Sequence, residues 1–228
     1  MYTLFFDTET TGFPKRAGWD EYFDPKQLKA YDSSRVVSIS WIIRNTKTNF
    51  IKAEYFIVNP EGFVIDNEGR ACQVHGITQE KATTEGKHMS NIIEQLTEDI
   101  AEYKPKLLVG HNVKFDYHIV LSEIYRCMHP SGYELRADET EKFQNLYDTF
   151  SATKRYCTME NGKDFARILT WKMGDFKPPK LSELYHELFR EKFEAHDAYE
   201  DTKACMRCYY KMVDDIDVNQ VVSTSGGV

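Results

Sequence analysis

The 228-residue sequence has no run of about 18 apolar residues, so nothing in it reads as a membrane-spanning helix. Its five cysteines, at positions 72, 127, 157, 205 and 208, are odd in number and form no regular framework. That excludes a disulfide-stapled secreted domain and points to free thiols in a reducing compartment. The first residues lack the basic region and apolar core of a secretory signal, so an intracellular protein is expected, cytoplasmic or, in a eukaryotic or viral setting, nuclear. Basic charge is scarce too. Lys and Arg number 29 against 36 Asp and Glu, a net charge of −7, which argues against a protein that coats duplex nucleic acid with its surface. It leaves room for an enzyme that grips only a nucleic-acid end through metal ions. No repeat or long low-complexity tract interrupts the chain.

The composition, 41% hydrophobic and 29% charged, is that of a globular protein long enough for one sizeable core. A strand is predicted over Tyr2–Asp7, with Phe5 and Asp7 on one face and Leu4 and Phe6 on the other. Residues Pro14–Arg35, with Trp19, Tyr22, Phe23 and Tyr31, lack periodicity and read as a long ordered loop. Val36–Arg44 and Phe50–Val58 read as a hairpin, and Leu107–Val109 and Arg155–Thr158 as further strands. Helical spacing marks Ser90–Tyr103, Val113–Cys127, Glu139–Thr153, Leu181–Phe189 and Ala198–Val213, with a short turn at Thr78–Ala82 and irregular chain over Gly162–Pro179. Strands first, then helices alternating with single strands, predict one α/β domain over residues 1–215 with a central mixed β-sheet flanked by helices. Residues 216–228 read as a disordered tail.

Three places put carboxylates where regular structure ends. Asp7 and Glu9, two apart on a strand, project from one face, and their oxygens suit a hard cation such as Mg²⁺ or Mn²⁺. Asp116 falls one turn into a helix that starts after Gly110-His111-Asn112, with Asn112 as the expected N-cap. Asp201 follows His196 and Asp197, one turn above Cys205 and Cys208. Singly, each fits a structural role: a solvated strand end, an acid at a helix N-terminus, and a capping box of Asp197 with Glu200. Together, four converging carboxylates repel one another unless cations lie between them, which predicts two divalent metals roughly 3.5–4 Å apart. An imidazole, with an ordinary pKa of ~6.5, suits a general base beside them.

Asp7-Thr-Glu9-Thr-Thr-Gly12, His111-Asn112-x-x-Phe115-Asp116 and His196-x4-Asp201 resemble the three motifs of the DEDDh 3′→5′ exonucleases. With Val74-His75-Gly76-Ile77-Thr78 they most resemble the proofreading branch, the DNA polymerase III epsilon type, over residues 2 to about 213. The resemblance implies an RNase H-like fold. It makes Asp7, Glu9, Asp116 and Asp201 ligands of two Mg²⁺ or Mn²⁺ ions and His196 the general base. It also brings Thr8, Thr10, Thr11, Gly12, His75 and Asn112 to the 3′-terminal nucleotide. Phe115 reads equally as a stacking ring or as core. Pro14–Arg35 is long for a minimal domain of this family; its aromatics could cover a base or form a hydrophobic flap.

The function expected on this resemblance is metal-dependent removal of nucleoside 5′-monophosphates from a nucleic-acid 3′ end, with DNA favoured and single-stranded or frayed ends preferred. An exoribonuclease acting on short RNA is the rival within enzymes, and a non-catalytic binding module the rival outside them. A proofreading or DNA-repair role would need a separate polymerase or repair protein as partner.

Overall fold

The computed structural model describes residues 1–130, 135–170 and 174–213; the expected tail at 216–228 lies outside them. The chain opens with strand β1 (Thr3–Thr10), then a small hairpin of β2 (Arg16–Gly18) and β3 (Glu21–Tyr22), then β4 (Val36–Asn45) and β5 (Phe50–Ile57). Helices α1 (Arg70–His75), α2 (Gln79–Glu85) and α3 (Met89–Tyr103) lead to β6 (Leu107–Gly110). After it come α4 (Val113–Met128), α5 (Ala137–Ala152) and β7 (Lys154–Cys157). Short α6 (Thr158–Asn161) and α7 (Lys163–Ala166) precede α8 (Leu181–Phe189) and α9 (Ala198–Val213).

Five strands form one sheet in the order β5-β4-β1-β6-β7. β5, β4 and β1 run antiparallel; β1, β6 and β7 run parallel. The sheet is mixed and β1 is the strand where it changes sense, the architecture expected of an RNase H-like fold.

Strand alternation decides what each face of β1 meets. Leu4 and Phe6 join Ile39, Trp41 and Ile43 in a core closed by Ile92, Ile93 and Leu96 of α3, Ile119, Val120 and Ile124 of α4, and Phe150 of α5. Phe5 points the other way and packs with Ile42, Val109 and the α9 residues Cys205, Met206 and Tyr210. β4 is buried along its whole length because both faces are covered. Cys205 and Cys208 are buried free thiols, as helical packing predicts.

The differences from expectation are local. β1 runs on to Thr10, three residues past Asp7, because its antiparallel pairing with β4 continues to the end of the strand. The loop after Pro14 contains the β2–β3 hairpin and a 3-10 turn at Leu28–Ala30. The Gly162–Pro179 segment holds α7, and α1, which carries His75, has too few residues for a periodic signal.

The start of β4 is fastened to α4 by a buried ion pair. Arg35 Nε and Nη2 donate to the two oxygens of Glu123 at 2.6 and 3.2 Å, the side chains being 10% and 2% exposed, and the guanidinium lies 4.5 Å from the ring centre of Phe63. Removing one member strands a charge in the core. Glu123→Ala should therefore destabilise the protein by about 3–5 kcal/mol in urea unfolding. The joint replacement Arg35→Met with Glu123→Leu should cost markedly less. Equal losses would show that the two charges do not compensate each other.

Candidate active site

The site is built where β1 outruns its parallel neighbour. β6 pairs with Thr3–Phe5 only, then turns through Gly110 into α4. Beyond Phe5, that edge of β1 has no strand partner, and α4 fills the place. The backbone N–H of Thr8 and its hydroxyl both donate to Oδ1 of Asp116, at 3.0 and 2.7 Å. One carboxylate oxygen thus replaces the missing strand.

Asp7 and Glu9 leave the opposite face of β1, the face that carries Phe5 and meets α9. They are half-buried, unlike the fully buried residues around them. A bulge between Glu9 and Thr10 breaks the register with β4 just there, a common way to re-aim a side chain near a site. From α9 comes Asp201, buried, with Oδ2 accepting the backbone N–H of His196 at 3.0 Å. The helix itself is capped by Asp197, whose Oδ1 accepts from Tyr199 and Glu200 N–H at 3.0 and 3.1 Å. Glu200 does not return the bond; it pairs with Lys203 at 2.5 Å. Half of the expected capping box forms.

His196 sits just before that cap in a left-handed conformation, φ 76°, which costs a non-glycine residue energy and turns the imidazole outward. One ring nitrogen of this exposed side chain and one oxygen each of Glu9 and Asp201 lie within 4.8 Å of one another, a spacing that could hold a metal ion.

Crowding and burial show in the protonation of these groups. Burial, then Asp116, Asp201, Glu9 and Asp197, push Asp7 well above the usual carboxylate range. Burial followed by Asp201 and Asp116 raises Glu9 to about 8. Asp116 is raised to about 7 by burial, although the two Thr8 bonds pull it down. Burial also raises Asp201 to about 7 against the His196 N–H bond. Such a set of hard oxygen donors, reluctant to ionise together, fits a divalent cation, whose charge removes the repulsion.

The family model for the exonuclease domain of the RNase_T family matches residues 4–209. The chain belongs to that family, within the DEDD class of 3′→5′ exonucleases. No curated protein sequence matches it. Among solved structures, the exonuclease I–single-stranded DNA complex of E. coli with bound zinc is 19% identical, with a TM-score of 0.60 over 94% of this chain and 41% of that one. The complex of the same enzyme with a dA16 oligonucleotide is 18% identical, with a TM-score of 0.61 over 96% and 42%. Exonuclease I without ligand is 18% identical, with a TM-score of 0.59 over 96% and 43%. At that identity the likeness is one of fold, and this exonuclease-family chain spans about two fifths of the length of those chains.

The other expected site residues divide into two groups. Thr10, Thr11 and Gly12 form the turn after β1, and it is tied down firmly. Thr11 N–H donates to Arg35 O and Arg35 N–H to Thr11 Oγ1, at 2.9 and 3.0 Å, while Thr10 and Ser34 hydroxyls both donate to Gly12 O. A β-carbon on Gly12 would lie 3.1 Å from the Ser33 carbonyl oxygen, so glycine is needed for this close approach. His75 faces the Thr10 backbone; burial lowers its pKa, and its Nδ1 accepts the Ile77 N–H at 3.0 Å, which fixes the neutral-ring proton on Nε2. Phe115 is half-buried, packed on the core and edge-on to Phe13 at 5.9 Å.

Thr8 and Asn112 differ from expectation. Thr8 is buried and engaged with Asp116, because its position in the strand points it to the α4 side. Asn112 does occupy the N-cap, but with left-handed φ 63° its side chain makes no capping bond. His111, lowered to about 4 by burial, bridges Thr158 Oγ1 and the Pro179 carbonyl at 3.0 Å each and so locks the β6–α4 turn to the start of α6 and to the segment before α8.

In metal-free protein the folded state keeps protons on Glu9, Asp116 and Asp201 that the unfolded chain has already released. Stability therefore falls as pH rises from about 4 toward about 8, then levels off. Thermal melts should show this decline, a smaller one in Glu9→Gln, and the greatest gain from Mg²⁺ or Mn²⁺ at the upper end. A metal-free melting temperature equally sensitive to pH in both proteins would mean that Glu9 is not strained. Thr8→Val removes one of the two bonds that aim Asp116, and should weaken metal binding in calorimetry about 10-fold.

Proposed function

We propose that this domain hydrolyses the terminal phosphodiester bond at the 3′ end of single-stranded or frayed DNA and releases nucleoside 5′-monophosphates. The carrying observation is the meeting of Asp7 and Glu9 from β1, Asp116 from α4 and Asp201 from α9 with the imidazole of His196. On this reading the four carboxylates hold two Mg²⁺ or Mn²⁺ ions. When bound, these ions would stabilise the charge that develops on the attacking and leaving oxygens of an in-line displacement.

The chain's own residues do the rest. His196, exposed at the rim with its ring nitrogen near Glu9 and Asp201, takes a proton from the attacking water. The water oxygen bonds to phosphorus, and the bond from phosphorus to the 3′ oxygen of the preceding nucleotide breaks. That oxygen takes a proton from solvent and becomes the new 3′ hydroxyl, and His196 gives up its proton to solvent. The Thr10–Gly12 turn, His75 and Asn112 hold the terminal nucleotide against the cleft, and Thr8 keeps Asp116 in place from behind. The net charge of −7 favours a grip on the end of a strand over a grip along a duplex. The neighbouring exonuclease I structures with single-stranded DNA and with dA16 support a DNA strand as substrate.

The test is digestion of 5′-labelled single-stranded DNA and RNA of one sequence with Mg²⁺, Mn²⁺ or EDTA. DNA should shorten from its 3′ end faster than RNA, and EDTA should stop both; faster loss of RNA would make the enzyme an exoribonuclease. His196→Ala should lower turnover roughly 10²–10⁴-fold while leaving metal binding largely intact, and normal turnover would remove His196 from the base role.

A further inference from the structure

We propose that the tip of the β2–β3 hairpin is a second nucleotide subsite, in which the indole of Trp19 stacks on a base of the single strand upstream of the terminal nucleotide. This rests on the reading of the active site given above and extends it to the length of strand that the protein senses.

Trp19 is 96% exposed and belongs to none of the hydrophobic clusters. A ring of that size left in water does nothing for the fold. The hairpin is held by other residues. Arg16 Nη1 donates to the Trp19 carbonyl at 2.9 Å, with its guanidinium carbon 5.4 Å from the ring centre of Tyr22. Tyr22 in turn lies 5.0 Å from the ring of His118 and 6.5 Å from that of Phe115. Lys114 of α4 bonds to the carbonyl of Asp20 and pairs with its carboxylate at 3.0 Å. The residues on either side of the tip are thus fixed while the indole itself stays open.

Those anchors also place the hairpin. Phe115, the residue before Asp116 on α4, has the rings of Phe13 and Tyr22 beside it, and Phe13 directly follows Gly12 of the turn at the cleft. The tip therefore adjoins the cleft. Phe13, 78% exposed and edge-on to Phe115, continues the apolar surface from the cleft toward the hairpin. Exposed Lys15 and Arg16 lie beside it and suit a phosphate backbone. Exposed rings beside cations are how single strands are held without sequence preference, since every base has a stackable face. A flap closing over the core would bury Trp19, and it does not.

The experiment measures kcat and KM on oligothymidylates from 2 to 16 nucleotides for the wild type, Trp19→Ala and Trp19→Phe. The wild type should bind the 16-mer much more tightly than the dinucleotide. In Trp19→Ala the ratio of the two KM values should fall about 5- to 100-fold, with the effect in KM for the 16-mer rather than in kcat. Trp19→Phe, which keeps a smaller ring, should recover part of it. A folding defect would instead lower kcat at every length. An unchanged KM ratio in Trp19→Ala, with an active wild type, overturns the subsite. The wild type is first assayed on the p-nitrophenyl ester of thymidine 5′-monophosphate and on the 16-mer; if it cleaves neither with Mg²⁺ or Mn²⁺, the activity reading fails before the subsite is tested.

Discussion

The mutual repulsion of four carboxylates in one partly dry cleft is the constraint around which this protein is arranged. Left alone, such groups separate or take up protons; burial first, and then neighbouring carboxylates, raise the pKa values of Asp7, Glu9, Asp116 and Asp201. The fold keeps them together by giving each a support of its own. Two bonds from Thr8 pin Asp116, a backbone N–H holds Asp201, and regular pairing of β1 with β4 keeps Asp7 and Glu9 on one face. Each support comes from a backbone already committed to the sheet or to a helix start, so little freedom remains through which the site could relax.

The same logic extends outward. Arg35 pairs with Glu123 in the core, and its backbone exchanges bonds with Thr11, so the turn that borders the cleft is fastened through β4 to α4. His111 and Thr158 tie the β6–α4 turn to the start of α6 and to the segment before α8. Lys52 and the Trp41 indole both reach the buried Asp99, at 2.5 and 2.8 Å, which fixes α3 on the far edge. These buried polar groups are satisfied in pairs or triads. Each adds geometric definition to a core that is otherwise aliphatic and aromatic.

The chain carries a net charge of −7. Affinity for a polyanion must then come from a few places where the local character differs from the average. On the proposals made above, the carboxylate cleft with its metals is one, and the aromatic hairpin with Lys15 and Arg16 is another. Weak long-range attraction and strong short-range contacts favour a substrate with a free, flexible end.

The sequence by itself determined the chemistry and the local elements. Phe5 with Asp7 and Leu4 with Phe6 announced the two faces of β1, and Ile92, Ile93, Leu96 and Ile100 announced the buried side of α3, because alternation and helical spacing are properties of neighbouring residues. The candidate carboxylates and His196 were legible as motifs at element ends. What only the tertiary structure decided was what each side chain meets. Thr8 reads as one more hydroxyl near a site until the early end of β6 turns its free edge toward Asp116, 108 positions away. Arg35 reads as an ordinary loop cation until it meets Glu123, 88 positions on. Asn112 reads as a side-chain cap until the sharp turn out of β6 forces its backbone left-handed. Periodicity reaches no further than a turn or a strand, whereas those pairings follow from where strands end and which helix fills the gap, and these are fixed only when the whole sheet has closed.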